Sequence, residues 1–438
     1  MKFEAEYSLY LNNEKIEEDS SVILFGEESL SIFPKTKQAL SIHWQEITTI
    51  FYENYKVYIT LICGKVIEIK SLGYKFEDFI RLASKFRNER LIKIDMVDEP
   101  LKKSITEASI SYYSMDKSFK DKAELHIYET SLVVFPDTHN FIRLPLKFID
   151  KIKEGDYSIE ITIENGERLE ISELGKNFDH FKESLHTQIN LLDIMVQNII
   201  SSFMPQADSF SIRTASKKIN EGKLIKISEI EKSLPEFFTN LEKRICSNET
   251  DTKEFQYLFS ISEKDKISFG IKKGLMGKMS GDCFIFLFFI KTNENLLAVF
   301  ESFSIDTKSK NETDNRASYF YRCNTSFDDF LSFFNTAMTD INFRRMPILI
   351  SDEKLGDPRY QIYNSAIYRI PNLKKLRELY IGRVIHSNFE SWSNDINELI
   401  KFAGQNLMTG KRWTKNIEIE NEEEICRDTN THADTATN

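Results

Sequence analysis

The chain has 438 residues, a formal net charge of −10, 41% hydrophobic and 29% charged residues, 34 Phe and 15 Gly. A chain of that size holds two to four domains of roughly 100–200 residues each, and its acidic balance argues against sequence-independent nucleic-acid binding, which rests on neutralising phosphates. The cysteines (Cys63, Cys246, Cys283, Cys323 and Cys426) are odd in number and form no CxxC pair, which argues against a zinc cluster or a disulfide framework.

Phe3, Ala5, Tyr7, Leu9 and Leu11 alternate with polar residues and predict a strand. Asn12 and Asn13 break it and open an acidic loop through Asp19. Residues 22–33 predict one strand or a tight hairpin ended by Pro34, and Leu40, Ile42 and Trp44 alternate again. Residues 55–61 and 66–69 predict two strands joined at Cys63-Gly64. The period then changes. Phe76, Phe79, Ile80, Ala83 and Phe86 step by three and four, as one face of a helix does.

The chain states this unit twice. Offset by 102 positions, with Ser29 falling on Ser131, residues 29–79 meet residues 131–181 without a gap. Roughly a third of the positions are identical, which marks an internal repeat. Tyr55, Gly64, Gly73, Phe76 and Phe79 fall on Tyr157, Gly166, Gly175, Phe178 and Phe181. The second helix runs longer, through Leu185, Leu192, Val196 and Phe203, and Pro205 ends it.

Several antiparallel strands, a Gly-turn hairpin and a closing amphipathic helix, stated twice over residues 1–203, resemble the pleckstrin-homology-like (PH/GRAM-type) barrel in tandem. The resemblance implies two such barrels, at 1–97 and 104–203, and binding of a protein or peptide at a sheet edge or beside the helix. It also raises phosphoinositide binding, for which members place Lys and Arg after the first strand. The first copy has Glu14, Glu17, Glu18 and Asp19 there, and the second has three lysines and two aspartates over 116–122. Headgroup binding is therefore disfavoured.

Residues 206–250 read as a helical connector, with Ile225, Ile230, Leu234, Phe237, Leu241 and Ile245 as its apolar positions. From Phe255 a third region begins. Tyr257, Phe259 and Ile261 alternate as a strand does, further strands cover 267–271, 283–290, 296–303 and 318–323, and Phe327, Phe330, Phe334 and Met338 predict a helix capped by Ser326. Region 255–345 thus repeats the strands-then-helix order, and a diverged third barrel is one reading of it. Helical pattern fills 371–385 and 389–402 in an extension at 346–416. Residues 417–438 form an acidic tail expected to be disordered.

No catalytic set stands out. The seven histidines form no HExxH, there is no GxSxG elbow, and no metal or cofactor site is expected. Lys272, Lys273 and Lys278 surround two glycines, but the spacing is not that of a P-loop. With Arg344, Arg345, Lys374, Lys375, Arg377 and Arg383 they are the candidate contacts for an anion or an acidic partner. The N-terminus lacks a basic, then apolar, leader, and the most apolar run, 283–290, falls short of the roughly 20 residues a membrane helix needs. The expectation is an α+β protein of the reducing cytoplasm, a non-catalytic scaffold for a protein or peptide partner. Recruitment to a membrane surface through headgroups, and an enzyme with its site in 255–402, are the alternatives.

Overall fold

The computed structural model describes residues 2–94, 99–114, 117–247, 249–275, 281–292, 296–305, 316–406 and 411–413. The chain is α+β. It begins with β1 (Lys2–Leu11), β2 (Glu14–Phe25), β3 (Ser29–Pro34), β4 (Leu40–His43), β5 (Ile47–Glu53), β6 (Lys56–Leu61) and β7 (Val66–Lys70), followed by α1 (Phe76–Ile94). The copy follows as β8 (Leu101–Tyr113), β9 (Ser118–Tyr128), β10 (Ser131–Pro136), β11 (Ile142–Pro145), β12 (Ile149–Gly155), β13 (Ser158–Ile163) and β14 (Arg168–Ser172), then α2 (Phe178–Phe203). From β3 to the first residue of the helix, each element of one copy starts 102 positions before its counterpart in the other.

Both sheets are antiparallel, with orders β4-β3-β2-β1-β7-β6-β5 and β11-β10-β9-β8-β14-β13-β12. This curled seven-stranded sheet with a helix at its end fits the PH-like fold. The first core gathers Phe3, Tyr7, Ile23, Trp44, Ile59, Ile69 and Phe79, the last of these from α1. The repeat is kept at the turns as well: Tyr55 and Tyr157, Gly64 and Gly166, and Gly73 and Gly175 all have positive φ. Glycine carries no Cβ penalty in that region, which is why two of the three pairs are Gly.

One expectation in this half is corrected. Asn12 and Asn13, both at positive φ, form a two-residue turn, and the acidic run from Glu14 is strand β2 rather than a loop. Its carboxylates are engaged along the ladder. Glu17 accepts from the Tyr7 hydroxyl, and Glu18 lies 2.5 Å from Lys70, whose hydrogen bond holds that carboxyl down to about 2. Asp19 accepts from Thr36 N and Oγ1.

The chain continues through α3 (Ser209–Ile219), β15 (Ile225–Lys226), α4 (Ile227–Glu231), α5 (Phe237–Ile245) and α6 (Glu249–Ile261), then β16 (Ser268–Leu275), β17 (Gly281–Lys291), β18 (Leu296–Ser304) and β19 (Ala317–Cys323). It ends with α7 (Phe327–Asp340), α8 (Met346–Leu349), α9 (Gln361–Arg369), α10 (Pro371–Leu379), β20 (Tyr380–Ile385) and α11 (Phe389–Asn406). The third sheet runs β15-β16-β17-β18-β19-β20. Its order is sequential, unlike that of the two N-terminal sheets. β17 to β19 are buried at almost every residue on both faces, so helices cover both sides of this sheet.

Two further expectations change here. The stretch at 255–261 is the C-terminal half of a helix: Phe255 and Leu258, three apart, are the fully buried pair, and the alternation through Tyr257 and Phe259 is incidental. The helical pattern of 371–385 stops at Leu379, because Tyr380–Ile385 pairs with β19. The helices of 206–250 place Ile212, Ile219, Ile230, Leu234, Phe237, Leu241 and Ile245 in the core that also holds Phe269, Phe286 and Trp392, and β15 edges the sheet. The tail at 417–438 lies outside the described residues.

By contacts the chain divides into two compact units. The first is Met1–Leu191 with Asp340–Asn342 and Ile350–Pro371; the second is Leu192–Thr339 with Phe343–Leu349 and Asn372–Asn438.

Candidate functional site

The two barrels expose the same structural edge but treat it differently. In each sheet the strand that follows a one-turn 3-10 helix, β5 or β12, is terminal and has a ladder on one side only. At β5 the closing helix supplies a cap. Arg87 is 1% exposed; its Nε donates to Ile47 O at 3.2 Å, and its terminal nitrogens donate to Thr48 O and to Asn140 Oδ1 of the second barrel. Asn88 donates to His139 O at 3.0 Å and accepts from Phe141 N, and the Tyr52 hydroxyl reaches Thr138 Oγ1 at 3.3 Å. The first edge is thus capped by α1 and met by residues 138–141. Helix α9 lies in the same unit, with Gln361 reaching Glu46 just before β5.

Those residues of the second barrel are fixed from behind. Asp121 Oδ2 accepts from Thr138 N and Oγ1 and contacts His139 Nδ1 at 2.9 Å, while the His139 ring stacks on Phe119 with centroids 3.9 Å apart. Burial pushes the Asp121 carboxyl up, but the bonds from His139 and Thr138 outweigh it and hold it below its ordinary value. Asp19 and Thr36 make the same tie in the first copy, so this is a property of the repeat.

At β12 the position equivalent to Arg87 is Ile189, which has no donor to offer. Asp150, Lys151, Lys153 and Glu154 are exposed along the strand. Glu154 is held by Lys182 at 3.2 Å and His186 at 3.1 Å, both on α2, and Lys153 pairs with Glu160 at 2.7 Å. The hairpin closes at Gly155 opposite Ser158. Bonded and non-bonded pairs alternate from that closure, so the N–H groups of Ile152 and Glu154 face away from β13. Tyr157, 72% exposed, packs against Phe178 at the tip. The resulting edge offers backbone donors and acceptors beside a helix, with Lys153 and Glu154 already paired.

The cations singled out from sequence are dispersed. Lys272 is buried and ion-paired to Glu221 at 2.8 Å, with Lys273 N also donating to that carboxylate, so its ammonium is not presented to solvent. Lys278 lies outside the described residues. Arg377 is buried and donates to Pro347 O and Ile348 O, which closes the end of α8. Arg345 sits over Tyr319 at 4.9 Å, and Arg383 lies opposite Tyr319 in the ladder, so these two come together. Arg344 is half-buried, Lys374 is exposed on α10, and Lys375 lies over Phe333 at 4.4 Å. No loop separates β1 from β2 in the first barrel to cradle a headgroup phosphate.

Sequence reading missed a buried charged cluster in the second unit. It joins Asp251 and Glu254 of α6, Glu301 of β18, Arg316 and Ser318 at the start of β19, His386 after β20, and Trp392 of α11. Ser318 Oγ lies 3.3 Å from His386 Nε2, and Nδ1 lies 2.8 Å from Glu254, an order of groups that looks like a nucleophile relay. It does not act as one: Ser318 is fully buried and gives its proton to Glu301 at 2.5 Å. The available signal was Glu301, a buried carboxylate directly after the apolar run Leu296–Phe300. Among the described residues, the depression lined by Arg244, Ser247, Asp251, Phe303 and Ser304 has room for about a single water. Among the same residues, no group of three or more His, Cys, Asp or Glu is placed to hold a metal, and no helix is long and apolar enough to cross a membrane.

No family model matches the chain, and no curated protein matches it. Solved structures do match. One is the structure of the Spt16D Pob3N heterodimer, at 12% identity and a TM-score of 0.16, covering 37% of this chain and 82% of that one.

Proposed function

We propose that this protein is a non-catalytic interaction module whose two N-terminal barrels belong to the PH-like group, and that a protein or peptide partner binds as an added strand along β12, beside α2. The observation that carries this reading is the difference between two copies of one edge. Arg87 fills the β5 edge, and Ile189 leaves the matching edge of β12 without a donor. An extended peptide gains main-chain hydrogen bonds at such an edge and specificity from alternate side chains. Cys63, Cys246 and Cys323 are free thiols, which supports a reducing compartment such as the cytoplasm.

The test is a random-peptide display library panned on the full chain, with affinities of the selected peptides measured on three proteins. Proline at an outward-facing edge position removes one donor without breaking the inner ladder. Ile152→Pro should weaken the selected peptides at least tenfold, whereas Ile50→Pro, at the matching outward-facing position of β5, should leave them unchanged. Peptides that bind wild type and Ile152→Pro equally, with both proteins folded by circular dichroism, would refute the assignment.

A further inference from the structure

We propose that Arg345 and Arg383 form an anion-binding site in the second unit, over Tyr319 of the third sheet, and that the group it takes is a phosphate dianion. The sheet builds the site. β20 is a terminal strand paired to β19, and in that ladder Arg383 lies opposite Tyr319. Residues opposite one another in an antiparallel pair share a face, with Cβ atoms about 4.5–5.5 Å apart. The Arg345 guanidinium reaches the same ring from outside the sheet, 4.9 Å from its centroid. Its backbone is fixed, since Arg345 O accepts from Ile348 N at 2.9 Å and Leu349 N at 3.2 Å as α8 opens. One ring therefore gathers two cations.

Among the described residues nothing nearby balances them. Neither guanidinium makes a hydrogen bond or an ion pair there, and both side chains are half-buried, within reach of solvent. On β18 the positions opposite Tyr319 and Tyr321 are Phe300 and Ala298, and the buried carboxylate of that strand, Glu301, bonds Ser318 on the opposite face. Glu378 of α10 is exposed and pairs with neither arginine. The contrast is with the arginines alongside. Arg377 donates to Pro347 O and Ile348 O, and Arg412, 5.3 Å from the Tyr380 ring, donates to Leu349 O at 3.4 Å. Their forks close carbonyls at the end of α8, whereas those of Arg345 and Arg383 close none.

A second observation points to the same place. Tyr321 lies two residues beyond Tyr319 on the same face and is 0% exposed, yet its hydroxyl has no hydrogen-bond partner. Buried hydroxyls are nearly always bonded. Its ring is held against Phe334 at 5.3 Å and Tyr380 at 5.8 Å, so it cannot swing away to find a partner. Burial, then the phenols of Tyr380 and Tyr319, push the Tyr321 hydroxyl well above its ordinary range, and Arg345 opposes them. At neutral pH the group is therefore a proton donor without an acceptor.

The donors select the ligand. A guanidinium presents a planar fork that matches oxyanions through two parallel bonds. Two such forks carry two positive charges. A phosphate group, at about −1.5 to −2 near neutral pH, balances them, and a single carboxylate does not. A tetrahedral phosphate also keeps an oxygen out of the plane of either fork, available to a hydroxyl. Arg345, held by stacking on Tyr319, lifts to admit the anion, and Tyr321 gains its acceptor.

Calorimetric titration of the full chain with sodium phosphate in a chloride buffer tests this, with arginine ¹H–¹⁵Nε spectra to locate the anion. Phosphate should bind saturably and shift the Nε resonances of Arg345 and Arg383. Arg345→Gln and Arg383→Gln should each weaken binding about tenfold or more, and Tyr321→Phe, which removes only the hydroxyl, about threefold or more. Lys374→Gln, on the exposed side of α10, should leave it unchanged. Acetate should bind about tenfold more weakly than phosphate or not at all. O-phosphoserine separates the sources of the group: tighter binding than inorganic phosphate marks a phosphorylated residue, and weaker binding marks a free phosphate. No saturable binding to the wild-type chain, equal affinity for acetate, or affinity unchanged in a folded Arg383→Gln overturns the proposal, the first two without any variant.

Discussion

Arg87→Met isolates what the capped edge is worth. Methionine keeps much of the buried stem and removes the guanidinium. Ile47 O, Thr48 O and Asn140 Oδ1 then lose their donor together. A hydrogen bond to a charged group contributes about 1.5–3 kcal/mol, and a buried acceptor left without a partner costs about 1–3 kcal/mol. The penalty for burying the cation, several kcal/mol, is relieved in the same step. Taken together, the loss should be about 2–5 kcal/mol. In a unit of this size each kcal/mol lowers the melting temperature by about 2–4 °C, so a fall of about 4–20 °C is expected. Trp44 is the one tryptophan of the first unit; the other two, Trp392 and Trp413, lie in the second. Labelling with 5-fluorotryptophan and following the Trp44 ¹⁹F resonance through a urea titration therefore reads the first unit alone. Ile189→Met in the second copy is the control and should cost less than about 1.5 kcal/mol, as an apolar exchange of similar volume. A value for Arg87→Met within about 0.5 kcal/mol of wild type, or one matched by Ile189→Met, would refute the view that the guanidinium holds that edge.

The tie behind residues 138–141 should show its strength in Asp121→Ala, which strands Thr138 N and the His139 ring and should destabilise the first unit by about 2–4 kcal/mol, read on the same resonance. Because the folded Asp121 carboxyl sits below its ordinary 3.8, that stability is present above pH 3.8 and lost as pH falls through the lowered value. The variant should therefore lose less on acidification than wild type. In the second unit, Gly270→Ala would place a Cβ 2.6 Å from Lys223 O and 3.1 Å from Ile285 Cγ1. Lys223 is tied on both sides, by the Glu221–Ile271 bridge and by the pairing of β15 with β16, so its carbonyl has little freedom to swing aside and about 1–3 kcal/mol should be lost, measured by urea unfolding at Trp392. No loss there would mean that β16 shifts freely past residue 223.

The repeat could be read from sequence because it lives in local chemistry. Turn residues such as Tyr55 with Tyr157 and Gly73 with Gly175 keep their backbone angles, and strand alternation keeps the core face. What escaped reading was set by partners distant in the chain. Glu14 to Asp19 looked like a loop because nothing local shows that Glu17 meets Tyr7 and Glu18 meets Lys70. Tyr380–Ile385 continued a helical pattern until β19 claimed it. The alternation of Tyr257, Phe259 and Ile261 satisfied a period of two while the buried pair, Phe255 and Leu258, obeyed a spacing of three. The buried charged cluster was least legible of all, since its members run from Asp251 to Trp392 and converge only when α6, β18, β19 and α11 pack.

The two copies also show why fold similarity alone leaves function open in this chain. Their backbones, turns and aspartate ties agree, yet one helix position separates an edge that the molecule uses itself from an edge it leaves available. At residue 87 an arginine turns outward-facing carbonyls into an internal joint between barrels. At residue 189 an isoleucine cannot, and the cost of an unpaired edge then falls on solvent or on a partner. If β12 were merely tolerated, its flanking charges would best serve solubility by staying free. Instead Glu154 is paired with Lys182, and Lys153 with Glu160, which lowers the local field a docking strand would meet without covering the backbone groups it would use.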